Sequence, residues 1–249
     1  MSYTFIILGI NELKEHEEII EDLLEALAEE IKKDGVLKKP ILVDKASMVI
    51  LDGHHRLHAL RLMGYEKVSV FLLDYTSSLE IEKWYRVIEG NPSPNIIEKI
   101  REKGIRVEKI EEDAKIKETF EKYANLLKGY DKMIEEKNAL GILIHIDERA
   151  SYLLFSNNEK EDIKQKYSEL ARIEDVFREK GYPVDYNNME NTVKNMMACR
   201  YHWILLGPKV ERSDVIDMGL SEEIFAPKTT RHIVKTTLED REVKLEDLL

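Results

Sequence analysis

"ILVDKASMVILDGHHRLHALRLMGYEKVSVFLLD", residues 41–74, decides the fold. Two short apolar runs, around 41–43 and 47–51, are joined by a polar turn and end at Asp52-Gly53, the pattern of a hairpin or of two neighbouring strands. From His55 to Met63 the apolar residues recur with helical spacing, and Gly64 closes the helix. The run "EKVSVFLLDY", 66–75, returns as a strand. Upstream, "YTFIILGI", 3–10, is rich in β-branched and aromatic residues and reads as a first strand. Ile19, Ile20, Leu23, Leu24, Leu27 and Ile31 then mark a helix capped by Gly35. Residues 1–75 thus read as β-α-β-β-α-β, one α/β unit.

"NPSPN", 91–95, breaks both helix and strand and marks a junction, which gives an N-terminal domain over 1–90 and a C-terminal α/β lobe over 91–249. In the second lobe the pattern predicts helices at 96–103, about 111–137, 159–180 and 187–198. Strands fall at "LGILIHI", "SYLLFS" and "HWILLG". The segment "IFAPKTTRHIV", 224–234, differs in kind, setting Lys228, two threonines, Arg231 and His232 together in an acidic chain.

The 249 residues are 43% hydrophobic, enough for a large core, and the net charge of −11 opposes nonspecific binding to a polyanion. No nucleic-acid partner is expected. No window approaches the roughly 18 apolar residues of a membrane span, and the first residues lack a basic, signal-like start. A cytoplasmic protein without a membrane partner is the expectation. The single cysteine, Cys199, stands between apolar neighbours and reads as a packed thiol.

Three readings compete for "LDGHHRLHAL". His54 and His58, spaced i, i+4, share a helix face as a zinc pair requires. No nearby cysteine completes such a site, and His55 lies about a hundred degrees round the helix. A phosphate cradle fits better. Gly53 before the helix permits close backbone approach, the first-turn N–H groups are unpaired, and the dipole favours an anion. Arg56 and the histidines add charge-assisted donors. Asp52 reads as an N-cap, a magnesium partner or a proton handler. "PKTTRH", 227–232, can recognise a carboxylate or phosphate, or be a solvated basic turn. Trp84-Tyr85 can wall a pocket or fill a core. Glu17, in "KEHEE", is on pattern alone a surface glutamate.

The stretch from "LAEEIKKDG" to "VSVFLLD" resembles the ParB/sulfiredoxin-like superfamily over roughly the first third of the chain. The resemblance implies that Gly53, His54, His55 and Arg56 bind nucleotide phosphates. His54 stands where sulfiredoxins carry their reactive cysteine, and the basic turn and helix-turn-helix of ParB partition proteins are not seen. "LKEHE", "DGHHR", "WY", "FAPKTTRH" and the ending "VKLEDLL" together are similar to the archaeal ADP-dependent free serine kinases. That resemblance implies transfer of the β-phosphoryl group of ADP to free L-serine, giving AMP and O-phospho-L-serine. It implies magnesium held mainly by the nucleotide phosphates. Glu17 matches the catalytic base, with Asp52 placing magnesium or orienting Glu17. Trp84, Thr230 and His232 match positions that shape the serine pocket, Lys228 and Arg231 are expected to help hold the serine, and the active site is expected in the cleft between the lobes. The alternative is a nucleotide-binding regulatory or DNA-associated ParB-like protein without kinase activity.

Overall fold

In the computed structural model, which describes residues 3–93, 95–110, 119–158, 161–221, 223–235 and 237–249, the α/β chain forms two units. One comprises Met1–Glu82 with Val210–Leu249, the other Lys83–Lys209.

The first unit begins with β1 (Thr4–Gly9), α1 (Leu24–Asp34), β2 (Val36–Leu37), β3 (Ile41–Asp44), β4 (Ile50–Asp52), α2 (His54–Leu62), β5 (Lys67–Leu73), the short α3 (Tyr75–Ser78) and β6 (Leu79–Glu82). Its main sheet has the order β1-β5-β3-β4. β5 pairs antiparallel with β1 and parallel with β3, while β3 and β4 form the expected antiparallel hairpin. All four residues of β3 are buried, as suits an interior strand that reads as a continuous apolar run. Asp44 closes the hairpin turn by accepting hydrogen bonds from the Ser47 backbone N–H at 2.9 Å and hydroxyl at 2.7 Å. α1 buries Ala28 and Ile31 against the sheet and ends at Gly35, whose φ of 70° is the left-handed cap its sequence implies.

The second unit carries β7 (Tyr85–Ile88), α4 (Ile96–Glu102), β8 (Arg106–Ile110), α5 (Phe120–Glu136), β9 (Gly141–His145), β10 (Ala150–Phe155), α6 (Ile163–Glu179), β11 (Val184–Asn187), α7 (Met189–Met197) and β12 (Trp203–Leu206). Its strands form an antiparallel sheet of order β11-β7-β12-β9-β10-β8. Alternate residues such as Val87, Ile142, Ile144, Ile204 and Leu206 pack with Leu127 and Ile134 of α5 and Val193 of α7. The opposite pleat carries Arg86, which meets Glu174 of α6 in a fully buried pair. The start of the helix expected from 111 lies outside the described residues as far as residue 118.

The chain then returns to the first unit with α8 (Arg212–Leu220), β13 (Arg231–Val234) and β14 (Val243–Lys244). β13 pairs with β6 and β14 with β2, and Leu245 and Leu248 enter the core of the first unit. These pairings move the boundary away from the junction expected at 91. The "NPSPN" turn belongs to the second unit, where the Trp203 indole donates to the Pro92 carbonyl at 3.1 Å. The "KTTRH" segment, assigned from sequence to the C-terminal lobe, is part of the first unit. No helix among the described residues is long and apolar enough to cross a membrane. Cys199, expected to be packed, is exposed, because it follows the C-cap of α7 in a left-handed turn with φ 48°.

Candidate functional site

Residues 13–20 were expected to enter a helix at Ile19, but they run extended, and α1 starts only at Leu24 after a single 3-10 turn. Tertiary hydrogen bonds outcompete local helix here. Lys14 N–H donates to the Met48 carbonyl at 3.0 Å and receives Ile50 N–H on its own carbonyl at 2.8 Å. On the other side Glu18 N–H donates to Phe225 at 2.9 Å and Phe225 N–H to His16 at 2.9 Å. The segment is thus stitched between β4 and the start of the "FAPKTTRH" stretch.

α2 holds the same segment through its side chains. His54 Nε2 accepts His16 N–H at 3.4 Å, and His55 Nε2 accepts Ile20 N–H at 3.0 Å. His58 meets Glu15 at 2.5 Å, and Arg61 binds the other oxygen of that carboxylate. Residues 54, 58 and 61 recur at i, i+4, i+7, so one helix face serves as a rack for the segment bearing Glu17.

Glu17 is partly exposed, and its carboxylate is met by the C-terminal turn. Lys228 N–H donates to Oε1 at 2.9 Å; Thr230 donates to Oε2 from its backbone N–H at 2.7 Å and its hydroxyl at 2.8 Å. Lys228 takes a left-handed conformation, φ 60°, uncommon for a side-chain-bearing residue, in the turn that brings the Lys228 and Thr230 N–H groups onto one carboxylate. Burial pushes the Glu17 pKa above its ordinary value, against the opposing pull of the Thr230 donors and the Lys228 charge.

Around Glu17 stand three histidines held neutral. His16 is fully buried, its Nδ1 lies 2.7 Å from the Ile50 carbonyl, and Nε2 lies 3.0 Å from the Thr230 hydroxyl. Burial, then repulsion from His232, lowers its pKa to about 3. His232 meets the Tyr75 hydroxyl at 2.7 Å, and burial lowers its pKa to about 4. His54 is likewise pushed well down by burial. The His16 ring meets His54 edge-on at 4.7 Å and His232 at 5.8 Å. Sequence reading missed His16, although its place beside Glu17 in "HEE" was the available signal.

At the turn, Gly53 adopts φ 112°, and a Cβ there would lie 2.9 Å from an Arg56 nitrogen and 3.0 Å from Ile41. Glycine is required so that the guanidinium can fold over the backbone. The N–H groups of His54, His55 and Arg56 have no intramolecular acceptor among the described residues, leaving an open helix N-terminus. Gly53 is the N-cap with no side-chain cap, so Asp52 does not serve as one. Asp52 pairs instead with Arg56 at 2.5 Å, and Arg56 also donates to the Lys39 carbonyl at 2.8 Å and the Pro40 carbonyl at 3.2 Å. Asp52 is therefore engaged by Arg56. The His54 and His55 rings are neutral acceptors, not charged donors, since burial and then Lys228 also lower the His55 pKa. Any anion contact at this turn falls to the backbone N–H groups and Arg56. A cavity of about 230 Å³, lined in part by Lys38, Lys39, Asp52, Arg56 and Phe71, opens beside the turn.

Arg231 pairs with Glu82 across β13 and β6, which ties it to the sheet rather than to Glu17. Trp84 is half-buried in the second unit, where neighbouring Tyr85 joins the core. Glu17, Lys228, Thr230, His232 and the "DGHHR" turn all belong to the first unit, which by itself brings together the segments at 16–17, 52–56 and 228–232.

Residues 7–84 match the ParB N-terminal domain. The whole chain shares its fold with a solved free serine kinase in complex with AMP, at TM-score 0.75 and 20% identity, covering 98% of this chain and 93% of that one. The particular relatives are serine kinases, as the sequence resemblance implied. The ATP-dependent L-serine kinase of Staphylothermus marinus is 26% identical over 236 residues, 92% of this chain and 85% of the relative. The ADP-dependent L-serine kinase SerK of Thermococcus kodakarensis is 23% identical over 254 residues, 98% of this chain and 93% of the relative.

Proposed function

We propose that this protein is a kinase that transfers the β-phosphoryl group of ADP to the hydroxyl of free L-serine, giving O-phospho-L-serine and AMP. The observation that carries the proposal is the anchoring of the Glu17-bearing segment to the first turn of α2, through His16 N–H to the His54 ring and Ile20 N–H to the His55 ring, in a chain whose relatives over most of its length are named serine kinases.

Phosphoryl transfer asks a protein to align a nucleophile and to neutralise charge on the phosphoryl oxygens. Glu17 accepts the serine hydroxyl proton; burial raises its proton affinity towards the range useful for a base at neutral pH. The N–H groups of His54, His55 and Arg56 and the Arg56 guanidinium hold the diphosphate, using the partial positive end of α2. The adjoining cavity offers Phe71, Leu42 and Leu238 as apolar walls, with basic residues such as Lys39 and acidic ones such as Glu239 and Asp240 around them, a mixed lining that can take a nucleoside. Lys228 adds positive charge on the side of Glu17 and His55. Thr230 fixes the Glu17 carboxylate, and His232 packs behind it against His16. Trp84 and Arg231 are assigned to serine recognition on the sequence resemblance.

Magnesium fits as a nucleotide-borne ion. Among the described residues no three His, Cys, Asp or Glu side chains converge as a metal cage, and Asp52 is a single carboxylate at the turn. One or two carboxylates plus phosphate oxygens is the usual magnesium arrangement. When bound, the ion neutralises phosphate charge.

The donor is the finer point, because the two relatives differ in it, one being named for ATP and the other for ADP. Incubating the protein with serine and magnesium while varying the donor among ADP, ATP and CTP tests the proposal. O-phosphoserine with AMP from ADP supports it. O-phosphoserine with ADP from ATP alone moves the donor to ATP, and its absence with every donor overturns the kinase reading.

A further inference from the structure

Thr230 Oγ1 lies 2.8 Å from Glu17 Oε2 and 3.0 Å from His16 Nε2, and a hydroxyl owns one hydrogen. The Ile50 carbonyl can only accept, so it fixes the hydrogen of neutral His16 on Nδ1 and leaves Nε2 as a lone pair. Two lone pairs therefore compete for the one Thr230 hydrogen. With Glu17 ionised, Thr230 can satisfy only one of them. With a proton on Glu17 Oε2, the chain closes: Glu17 donates to Thr230 Oγ1, and Thr230 turns its hydrogen to His16 Nε2.

We propose that His16, acting through the Thr230 hydroxyl, is a positioning residue that favours the proton-bearing form of Glu17 and so makes Glu17 a stronger base. The catalytic meaning rests on the kinase reading; the hydrogen-bond competition does not. In the reaction the serine O–H bond breaks and its electron pair forms the new O–P bond, the bond from the β-phosphorus to the bridging oxygen breaks with its electron pair leaving on AMP, and the serine proton resides on Glu17. The Thr230 hydrogen only changes direction, and His16 gains no charge.

The surroundings bear on the same balance. Lys228 favours the carboxylate, His54 and His232 face His16 as neutral rings, and Glu15 is turned away to His58 and Arg61. Burial keeps His16 neutral across the working pH range and raises Glu17, in the same sense as the geometry.

The test is a titration of the full-length protein followed by the infrared carboxyl band of Glu17, identified by its loss in Glu17→Gln, together with the acid limb of kcat. His16→Asn keeps a donor for Ile50 and removes the acceptor at Nε2, which releases the Thr230 hydrogen to Glu17. A hydrogen bond to a charged group changes ionisation by about one pKa unit, so the Glu17 midpoint should fall by about that much. In a Thr230→Val background His16→Asn should give no further shift, whereas in Thr230→Ser the shift should return. An unchanged or raised midpoint in His16→Asn overturns the proposal, as does an equal shift in the Thr230→Val background. If Glu17→Gln retains full turnover, the base assignment fails, while the infrared shift still decides the role of His16.

Discussion

The second unit buries an ion pair, Arg86 with Glu174, whereas the first buries a cluster of neutral histidines. In the second unit Arg86 is held charged. Burial alone would lower its pKa, but Glu174 and the Tyr167 and Tyr186 rings more than offset that, and the net shift is upward. Glu174 also binds Arg178 at 2.7 Å and accepts the Tyr186 hydroxyl at 2.5 Å, so both of its oxygens are engaged. In the first unit burial keeps His16, His54 and His232 neutral, and the Arg212 charge acts in the same sense on His232. A closed ion pair resists change of protonation. A carboxylate backed by neutral rings that share one hydroxyl hydrogen is built to accept a proton. The difference sets a carboxylate open to titration in the first unit against a fixed ion pair in the second.

Four substitutions or titrations can break that contrast. Glu17→Gln should cut turnover by about 10² to 10⁴, the usual worth of a general base, with the circular dichroism spectrum unchanged. Near-normal turnover would remove Glu17 from the chemistry. Glu174→Gln leaves Arg86 buried beside a neutral partner and should cost about 3–5 kcal/mol in denaturant unfolding, while turnover per folded molecule holds. A stability change below about 1 kcal/mol would show the pair to be dispensable.

The pH dependence of stability tests the buried histidines of the first unit. In the unfolded chain the histidines titrate near 6.5, but in the fold His232 titrates near about 4 and His16 near about 3. Between those values the unfolded state binds more protons. The stability these residues contribute is therefore present above pH 6.5 and is lost as pH falls towards 4 and then 3. Hydrogen exchange should show first-unit amides losing protection over that interval, and replacing His232 with Phe should flatten the loss. The smallest effect is expected for His58→Ala, which removes one of two partners from Glu15 in a part-exposed pair and should cost under about 1 kcal/mol of stability.

Much of the first unit was legible because its signals are local. The β3–β4 hairpin, α2 and β5 follow from hydrophobic period and from glycines at 35, 53 and 64, each with positive φ. Glu17 and the "KTTRH" segment could be singled out through resemblance, yet their meeting is set by non-local hydrogen bonds. For the same reason the pattern of Ile19 and Ile20 misled, since backbone pairing with Met48 and Phe225 overrides helical spacing. The boundary was misplaced because β13 and β14 are short strands whose partners β6 and β2 lie far away in sequence. Nothing local in the sequence tells that Arg86 on a strand and Glu174 on a helix neutralise each other inside the second unit.

The most direct test supplies ADP carrying a radioactive β-phosphoryl group, with magnesium and serine, and follows the label. Transfer as described places the label in O-phosphoserine, one for each unlabelled AMP formed. Label released as inorganic phosphate, or AMP formed without O-phosphoserine, would contradict the account.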